Sequence, residues 1–526
     1  MTTLMPGGSC GEHTVIVGAG IAGLAAAARL ARAGLPVTVL ERHDWVGGKM
    51  RTLPSAAGPV AAGPTVLTMR SVFDDLFRDC GERLDDHLRL VRQPLLARHF
   101  WADGSRLDLF DDTDRSAEAI AAFAGARAAA QFRAFDARAR ALFDGFDAPV
   151  MRSAAPRPVT LGRHLMANPH LIRKMAPLRS LAGLLERSFD DPRLAQLFGR
   201  FATYVGGAPD GVPALLALIW RAEAAGVWAV EGGMQALATA VADLARRHGA
   251  VIETGAHVER IDTGGGRVTG VTLADGRHLK CGRVVFNGDP RALATGALGP
   301  GCATVAPVTR TTPRSLSAEV WSFAATPEGV DLAHHNVFFR ADPAPEFAAI
   351  ARGETAPDPT LYVCAMDRGM GAAPPATERF EIIANAPPQR AEQATKDPCP
   401  CPTRSLETLA RFGLHFTPEP EAARSLTTPQ DFAALFPASL GALYGQSPHG
   451  TMAAFKRPTA RTRVAGLYLA GGGTHPGAGV PMAALSARHA AEAILSDRIS
   501  TSPSRRTAMP GGISTGSATG AGARSR

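Results

Sequence analysis

At 526 residues the chain exceeds a single ordinary core, which predicts two closely joined domains. With 45% hydrophobic and 20% charged residues the composition is that of a folded globular enzyme, and no apolar run reaches the roughly 18 to 20 residues needed to cross a bilayer. The net charge of +8 admits nucleic acid or an anionic membrane surface as partner, but aromatic residues are only 6% and are not interleaved with cations, which excludes a base-stacking platform and leaves the membrane.

In chain order, Met1 to Gly11 has neither the cationic region nor the apolar core of a secretory signal, so the cytoplasm or the cytoplasmic face of a membrane is expected. Residues 15–23 read Val-Ile-Val-Gly-Ala-Gly-Ile-Ala-Gly, followed by an alanine-rich run and then Val37-Thr-Val-Leu-Glu41. An apolar strand feeds a glycine turn, the turn opens a helix, and a second strand ends in a carboxylate, which is the dinucleotide-binding fingerprint in its full context. Gly18 allows the tight turn, Gly20 lets the backbone approach a pyrophosphate, and Gly23 lets helix and sheet pack closely. The helix N-terminus offers N–H donors and positive dipole to the phosphates. Glu41 is placed to accept hydrogen bonds from ribose hydroxyls. A second glycine pair, Gly47-Gly48, precedes Lys49 and Arg51, two cations read as charge for the phosphates.

Further on, a helix is expected over Ser71 to Arg78, short strands over residues 90–110 with a turn at Asp103-Gly104, and helices over about 115–225. Within the latter, the segment from Leu161 to Arg179 mixes cations with leucine, isoleucine and methionine, a pattern able to lie in a lipid interface. Gly232-Gly233-Met234 opens a helix to His248, and strands are expected over 250–253, 256–262, 267–273 and 283–286, then a β-rich stretch over 315–385. Near the end, a strand at 466–470 runs into Gly471-Gly-Gly-Thr-His475, and Pro481 opens a helix to about Leu495, its N-terminus facing an anion or developing negative charge. From 498 the tail is Ser, Gly, Thr and Arg and is expected to be disordered. The seven cysteines are scattered, and the tight pair Cys399-Pro-Cys401 lacks a second pair to complete a zinc site, so reduced thiols and no metal are expected.

These motifs, with Gly63-Pro-Thr-Val-Leu-Thr68, Tyr204-Val-Gly-Gly207, Glu231-Gly-Gly-Met234, His335-Asn-Val-Phe-Phe339, Gly441-Ala-Leu-Tyr-Gly445 and Thr474 to Pro481, closely resemble the bacterial carotenoid desaturases related to phytoene desaturase, from residue 13 to 497. Within that family the chain is most similar to the branch acting at C3–C4 of 1-hydroxycarotenoids. The resemblance implies an α/β fold: a Rossmann-type FAD-binding domain with an intertwined α+β substrate domain and a helical membrane-docking region. The implied division is FAD-binding parts over 13–90, 226–290 and 456–497, the helical membrane-facing region over 91–225, the β-rich substrate part over 291–455, and the tail over 498–526. FAD contacts are implied at Gly18, Gly20, Gly23, Glu41, Gly48 and Lys49, at Thr65, Val66, Val258 and Asn287, and at Gly473, Val480, Pro481 and Met482. Many relatives in the wider amine oxidase superfamily place an acid after the last strand to bind a ribityl hydroxyl; Gly471 to Gly473 offers none, so backbone or neighbouring groups must hold it.

The implied reaction removes two hydrogens from a C–C bond beside a polyene. C4 is allylic, so loss of hydride leaves a cation delocalised along the chain, and FAD is the electron sink. The acidity of that cation removes the need for a dedicated base, and no catalytic residue is assigned. His475 is the one titratable candidate beside the flavin, with a structural role in the glycine loop preferred. Implied partners are a carotenoid dissolved in the membrane, the membrane surface itself, and oxygen or a quinone as electron acceptor. Phytoene desaturation in several steps is an alternative, as is a non-catalytic isoprenoid-binding protein of the same ancestry as the guanine-nucleotide dissociation inhibitors. The intact Glu41 and glycine loops argue against the latter.

Overall fold

A computed structural model describes residues 12–389, 403–418, 421 and 425–501. Apolar runs that are rich in β-branched residues and lack alternation form strands buried on both faces, as parallel sheets require. Four of them, with the partly exposed edge strand Val251–Glu253, make one parallel sheet in the order Leu467–Leu469, Arg283–Phe286, β1 (Thr14–Val17), β2 (Val37–Leu40) and Val251–Glu253. Its register sets Val15 between Val284 and Thr38. The strands come from three distant stretches of chain, yet they end at one edge, so the turns at Gly18, Asn287 and Gly471 emerge together. Helix α1 (Ile21–Arg32) is alanine-rich, with Ala25 to Ala28 fully buried. Small side chains let it lie against Met234–Arg247 and Val480–Thr501 at once.

A second, mixed sheet runs Leu414–Thr417, Ser317–Gly329, Glu378–Ala386, Leu361–Ala365, His335–Phe339, Leu95–Trp101 and Arg106–Phe110, with Leu426–Thr427 also paired to Ser317–Gly329. Alternation along His335–Phe339 divides its two cores. Val337 and Phe339 face the helices of residues 113–224, whereas Phe338 packs with Phe100 and Phe380. The helical layer includes Ala126–Phe146 and then the short Pro158–Ala167 and Pro169–Met175.

The predicted helix over Ser71 to Arg78 forms as Ser71–Asp79. An unexpected strand, His278–Lys280, pairs with Arg267–Leu273. The last helix extends to Thr501 instead of ending near Leu495, which overlaps the start of the predicted disordered tail. Its final turns are anchored: Asp497 accepts from the Tyr468 hydroxyl at 2.8 Å and from Arg461 at 2.9 Å, and Arg498 lies 3.6 Å from Glu12. The rest of that tail, Met1 to Gly11, and the Cys399–Cys401 pair lie outside the described residues. Among the described residues no helix is long and apolar enough to cross a membrane.

Candidate cofactor and substrate cavity

At the edge where the parallel strands end, a cavity of about 740 Å³ opens between the two sheets and the helical layer. Gly18, at φ +100°, turns the chain into α1, and Gly20 caps its N-terminus in an extended conformation. A Cβ on Gly23 would lie 2.1 Å from the Gly18 carbonyl oxygen, and one on Gly20 would lie 2.8 Å from Asn287 Nδ2. The first turn of α1 contains no acid to compete with an anion. Gly47 docks on this turn through its N–H to the Ala19 carbonyl at 2.8 Å, and a Cβ on Gly48 would approach the Gly20 Cα at 3.2 Å. Glu41, 5% exposed, accepts from the Ala19 N–H at 2.7 Å and the His43 N–H at 3.0 Å, which fixes its carboxylate toward the cavity.

The second glycine loop also lines the cavity. A Cβ on Gly473 would meet Pro290 Cδ at 2.6 Å, and one on Gly445 would meet the Gly473 Cα at 3.1 Å, so backbone faces backbone here. The Gly471 N–H donates to Ser486 Oγ at 2.8 Å, tying the loop to the helix that begins at Val480.

Two of the cations lining the cavity hydrogen-bond to backbone carbonyls. Lys49 donates to the carbonyls of Leu443 at 2.5 Å and Ala442 at 3.3 Å, and burial pushes its ammonium down to about 8 against the opposing pull of Asp289. Arg457 donates to the carbonyls of Gly472 at 2.6 Å and Tyr444 at 3.0 Å, and burial lowers it to about 10. Partly or fully desolvated cations held chiefly by carbonyl dipoles are suited to an anionic ligand.

Of the predicted site residues, Gly18, Gly20, Glu41, Gly48, Lys49, Thr65, Val66, Val258, Asn287, Gly473, Val480, Pro481 and Met482 line this one cavity. Gly23 is not among its lining residues; it is the packing glycine beneath the turn. Arg51 points elsewhere, its guanidinium donating to Thr427 Oγ1 at 2.7 Å with the buried Glu381 carboxyl nearby. His475 also lies outside the lining. Its Nε2 is 2.9 Å from the Ser153 carbonyl and 3.1 Å from that of Val150, so it ties the glycine loop to the segment following Ala126–Phe146. Sequence reasoning missed Arg457, a lone cation between loops, and the polar group of Arg200, Tyr204 and Tyr362 on the cavity wall. The predicted stretches containing Tyr204 and His335 were the available signal.

The model of the family "flavin containing amine oxidoreductase" matches residues 21–321 and 402–495. Hydroxyneurosporene desaturase of Cereibacter sphaeroides is 57% identical over 93% of this chain and 98% of its own length, and that of Rhodobacter capsulatus is 52% identical over 92% and 98%. The solved structure of cyclohexylamine oxidase from Brevibacterium oxydans shares the fold, at 18% identity and a TM-score of 0.54 over 93% of this chain and 100% of that one. The two glycine crossings, the oriented carboxylate and the partly or fully desolvated cations fit a dinucleotide with a pyrophosphate. The chain therefore belongs to the carotenoid desaturases within the flavin-containing amine oxidoreductases, with FAD as its cofactor.

Proposed function

We propose that the chain introduces the C3–C4 double bond into acyclic 1-hydroxycarotenoids of the hydroxyneurosporene type. The observation that carries this reading is the continuity of one cavity. Nucleotide-type glycines line one part, and Phe143, Phe146, Leu215, Leu216 and Ile219 line another. The name of the relatives 57% and 52% identical to it supports the choice of substrate.

In this reading Gly18, Gly20 and the N-terminus of α1 receive the FAD pyrophosphate, Glu41 takes the adenosine ribose, and Lys49 supplies charge. Thr65, Val66, Val258 and Asn287 hold the nucleotide portion, and Gly473, Val480, Pro481 and Met482 hold the ring system. When bound, FAD supplies an acceptor for hydride. The protein contributes placement and dryness. Apolar walls exclude water from a cationic substrate intermediate, and the close-set glycines let substrate and cofactor approach to reacting distance, roughly 3 to 3.5 Å. The dipole of the helix beginning at Val480 stabilises negative charge developing opposite it.

The substrate resides in the bilayer, so the protein works as a peripheral membrane enzyme. Val159, Met166 and Ile172, on the short helices, and Leu178, in the turn that follows them, are exposed at 67, 81, 44 and 98%, and Arg163, Arg173, Lys174 and Arg179 lie along the same stretch. The helix Pro158–Ala167 packs on the segment Asp147–Met151, whose Val150 and Met151 line the cavity, so the apolar surface adjoins the cavity.

FAD-loaded protein given 1-hydroxyneurosporene in liposomes, in air and separately with a quinone, should yield a carotenoid with one further conjugated double bond. Consumption of phytoene instead, or an unchanged carotenoid while flavin stays bound, contradicts the reading.

A further inference from the structure

The cavity wall that faces the apolar side chains is interrupted by one polar cluster. Arg200, on the turn Arg200–Val205, is 9% exposed and lines the cavity together with Tyr204 and Tyr362. Arg200 Nη2 stands 3.9 Å from Glu223 Oε1, too far for a hydrogen bond. Among the described residues, Arg200 Nε and Nη2 have no hydrogen-bond acceptor and Glu223 Oε2 has no donor. The Arg200 guanidinium lies 5.1 Å above the Tyr204 ring, and the Tyr204 hydroxyl interacts with both Arg200 and Glu223. Beside them, the Tyr362 hydroxyl is 2.7 Å from Thr65 Oγ1 and 2.6 Å from His335 Nδ1, which joins the cluster to the residues assigned to the cofactor.

Buried donors and acceptors left unmatched are destabilising, so unmatched groups on a cavity wall mark a place where a ligand can satisfy them. Here the unmatched donors of Arg200 lie beside the Tyr204 hydroxyl on the cavity wall, whose oxygen can accept while its proton serves the Glu223 carboxylate. A hydrocarbon can satisfy neither, and an ether can only accept. An alcohol does both. The hydroxyl-bearing carbon of a 1-hydroxycarotenoid is also only three C–C bonds from C4, so a group that grips it fixes which bond stands at the flavin. Burial, with His334 and Arg200 alongside, keeps the neighbouring His335 well below the usual imidazole range, so it stays neutral and leaves Arg200 as the cation of the cluster.

We propose that Arg200 and Tyr204, backed by Glu223, form a subsite that binds the substrate hydroxyl and selects hydroxylated over hydrocarbon chain ends. Arg200 donates to the hydroxyl oxygen, and Tyr204 accepts its proton's hydrogen bond while donating to Glu223. The proposal rests on the desaturase reading above.

The test compares kcat/KM for 1-hydroxyneurosporene and for its analogue without the hydroxyl, both in liposomes, with bound FAD measured in every variant. The parent protein should prefer the hydroxylated substrate, and Tyr204→Phe and Arg200→Met should cut that preference by about 10- to 100-fold, mainly through the hydroxylated substrate. Equal losses on both substrates, or an unchanged preference in Tyr204→Phe with FAD bound, overturn the subsite. A parent protein that converts both substrates equally well overturns it too, but leaves the desaturase reading standing. A FAD-loaded parent that converts neither defeats the desaturase reading itself. Tyr204→Phe removes one oxygen without changing the ring, so it decides the matter if Arg200→Met loses its flavin.

Discussion

Lys49, half-buried, and Arg457, buried, line a largely apolar cavity and hydrogen-bond to carbonyls, an arrangement that makes each cation sensitive to a bound anion. For Lys49 the sign is definite. Burial lowers the ammonium from 10.5 to about 8 in the folded, cofactor-free protein. That protein therefore holds fewer protons than its unfolded chain between those values, and the destabilisation due to Lys49 is full below about pH 8 and relieved as pH rises toward 10.5. A pyrophosphate nearby restores the proton. FAD affinity should thus be flat up to about pH 8 and then fall, approaching about tenfold per pH unit. In Lys49→Met the slope should vanish, with affinity at pH 7 down by about tenfold. Fluorescence titration of FAD between pH 6.5 and 9.5 measures both, and an equally steep slope in the variant contradicts the assignment. At this scale, spacing revealed the turn glycines and Glu41, because each role demands a residue type at a fixed offset. It could not orient Arg51: two residues beyond Lys49, the side chain follows a buried carboxylate, Glu381, that only the tertiary fold brings near. Arg457 carries no local pattern at all.

Elements were read well where a single periodicity dominates. The continuous apolar runs became the parallel strands, and the alanine run became α1 because three helices must approach closely there. The last helix outran its expected end because Asp497 and Arg498 find partners remote in sequence, which local propensity cannot register. The short helices Pro158–Ala167 and Pro169–Met175 pose a different question. Their mixture of cations and apolar residues suits either a packed surface helix or a lipid interface. Pro158–Ala167 buries none of its residues, whereas the second helix is held by Leu171, whose methyl groups fill the space beside Gly145. An apolar surface left outward beside cations points to the bilayer. Replacing Arg173, Lys174 and Arg179 by Glu should abolish flotation with liposomes containing anionic lipid while FAD stays bound. Undiminished flotation contradicts the docking assignment.

The molecule as a whole brings together stretches more than four hundred residues apart, since Val284 links β1 on one side with Leu467 on the other. That placement was legible only through the resemblance, because parallel pairing across such separations leaves no periodic trace. The mixed sheet and its two cores were less legible still: the β-rich stretch was recognised, but not its parallel junction with Leu95–Trp101. The shared cavity is the consequence that matters, since it sets the two glycine loops and the apolar wall around the same space. The most direct measurement is a single-turnover reaction without any electron acceptor. FAD-loaded protein, mixed under strict anoxia with excess 1-hydroxyneurosporene in liposomes, is quenched and its product counted against bound flavin. The expected result is about one desaturated product per flavin and none from flavin-stripped protein. Product well in excess of flavin, or none at all from protein that holds its FAD, would contradict the account.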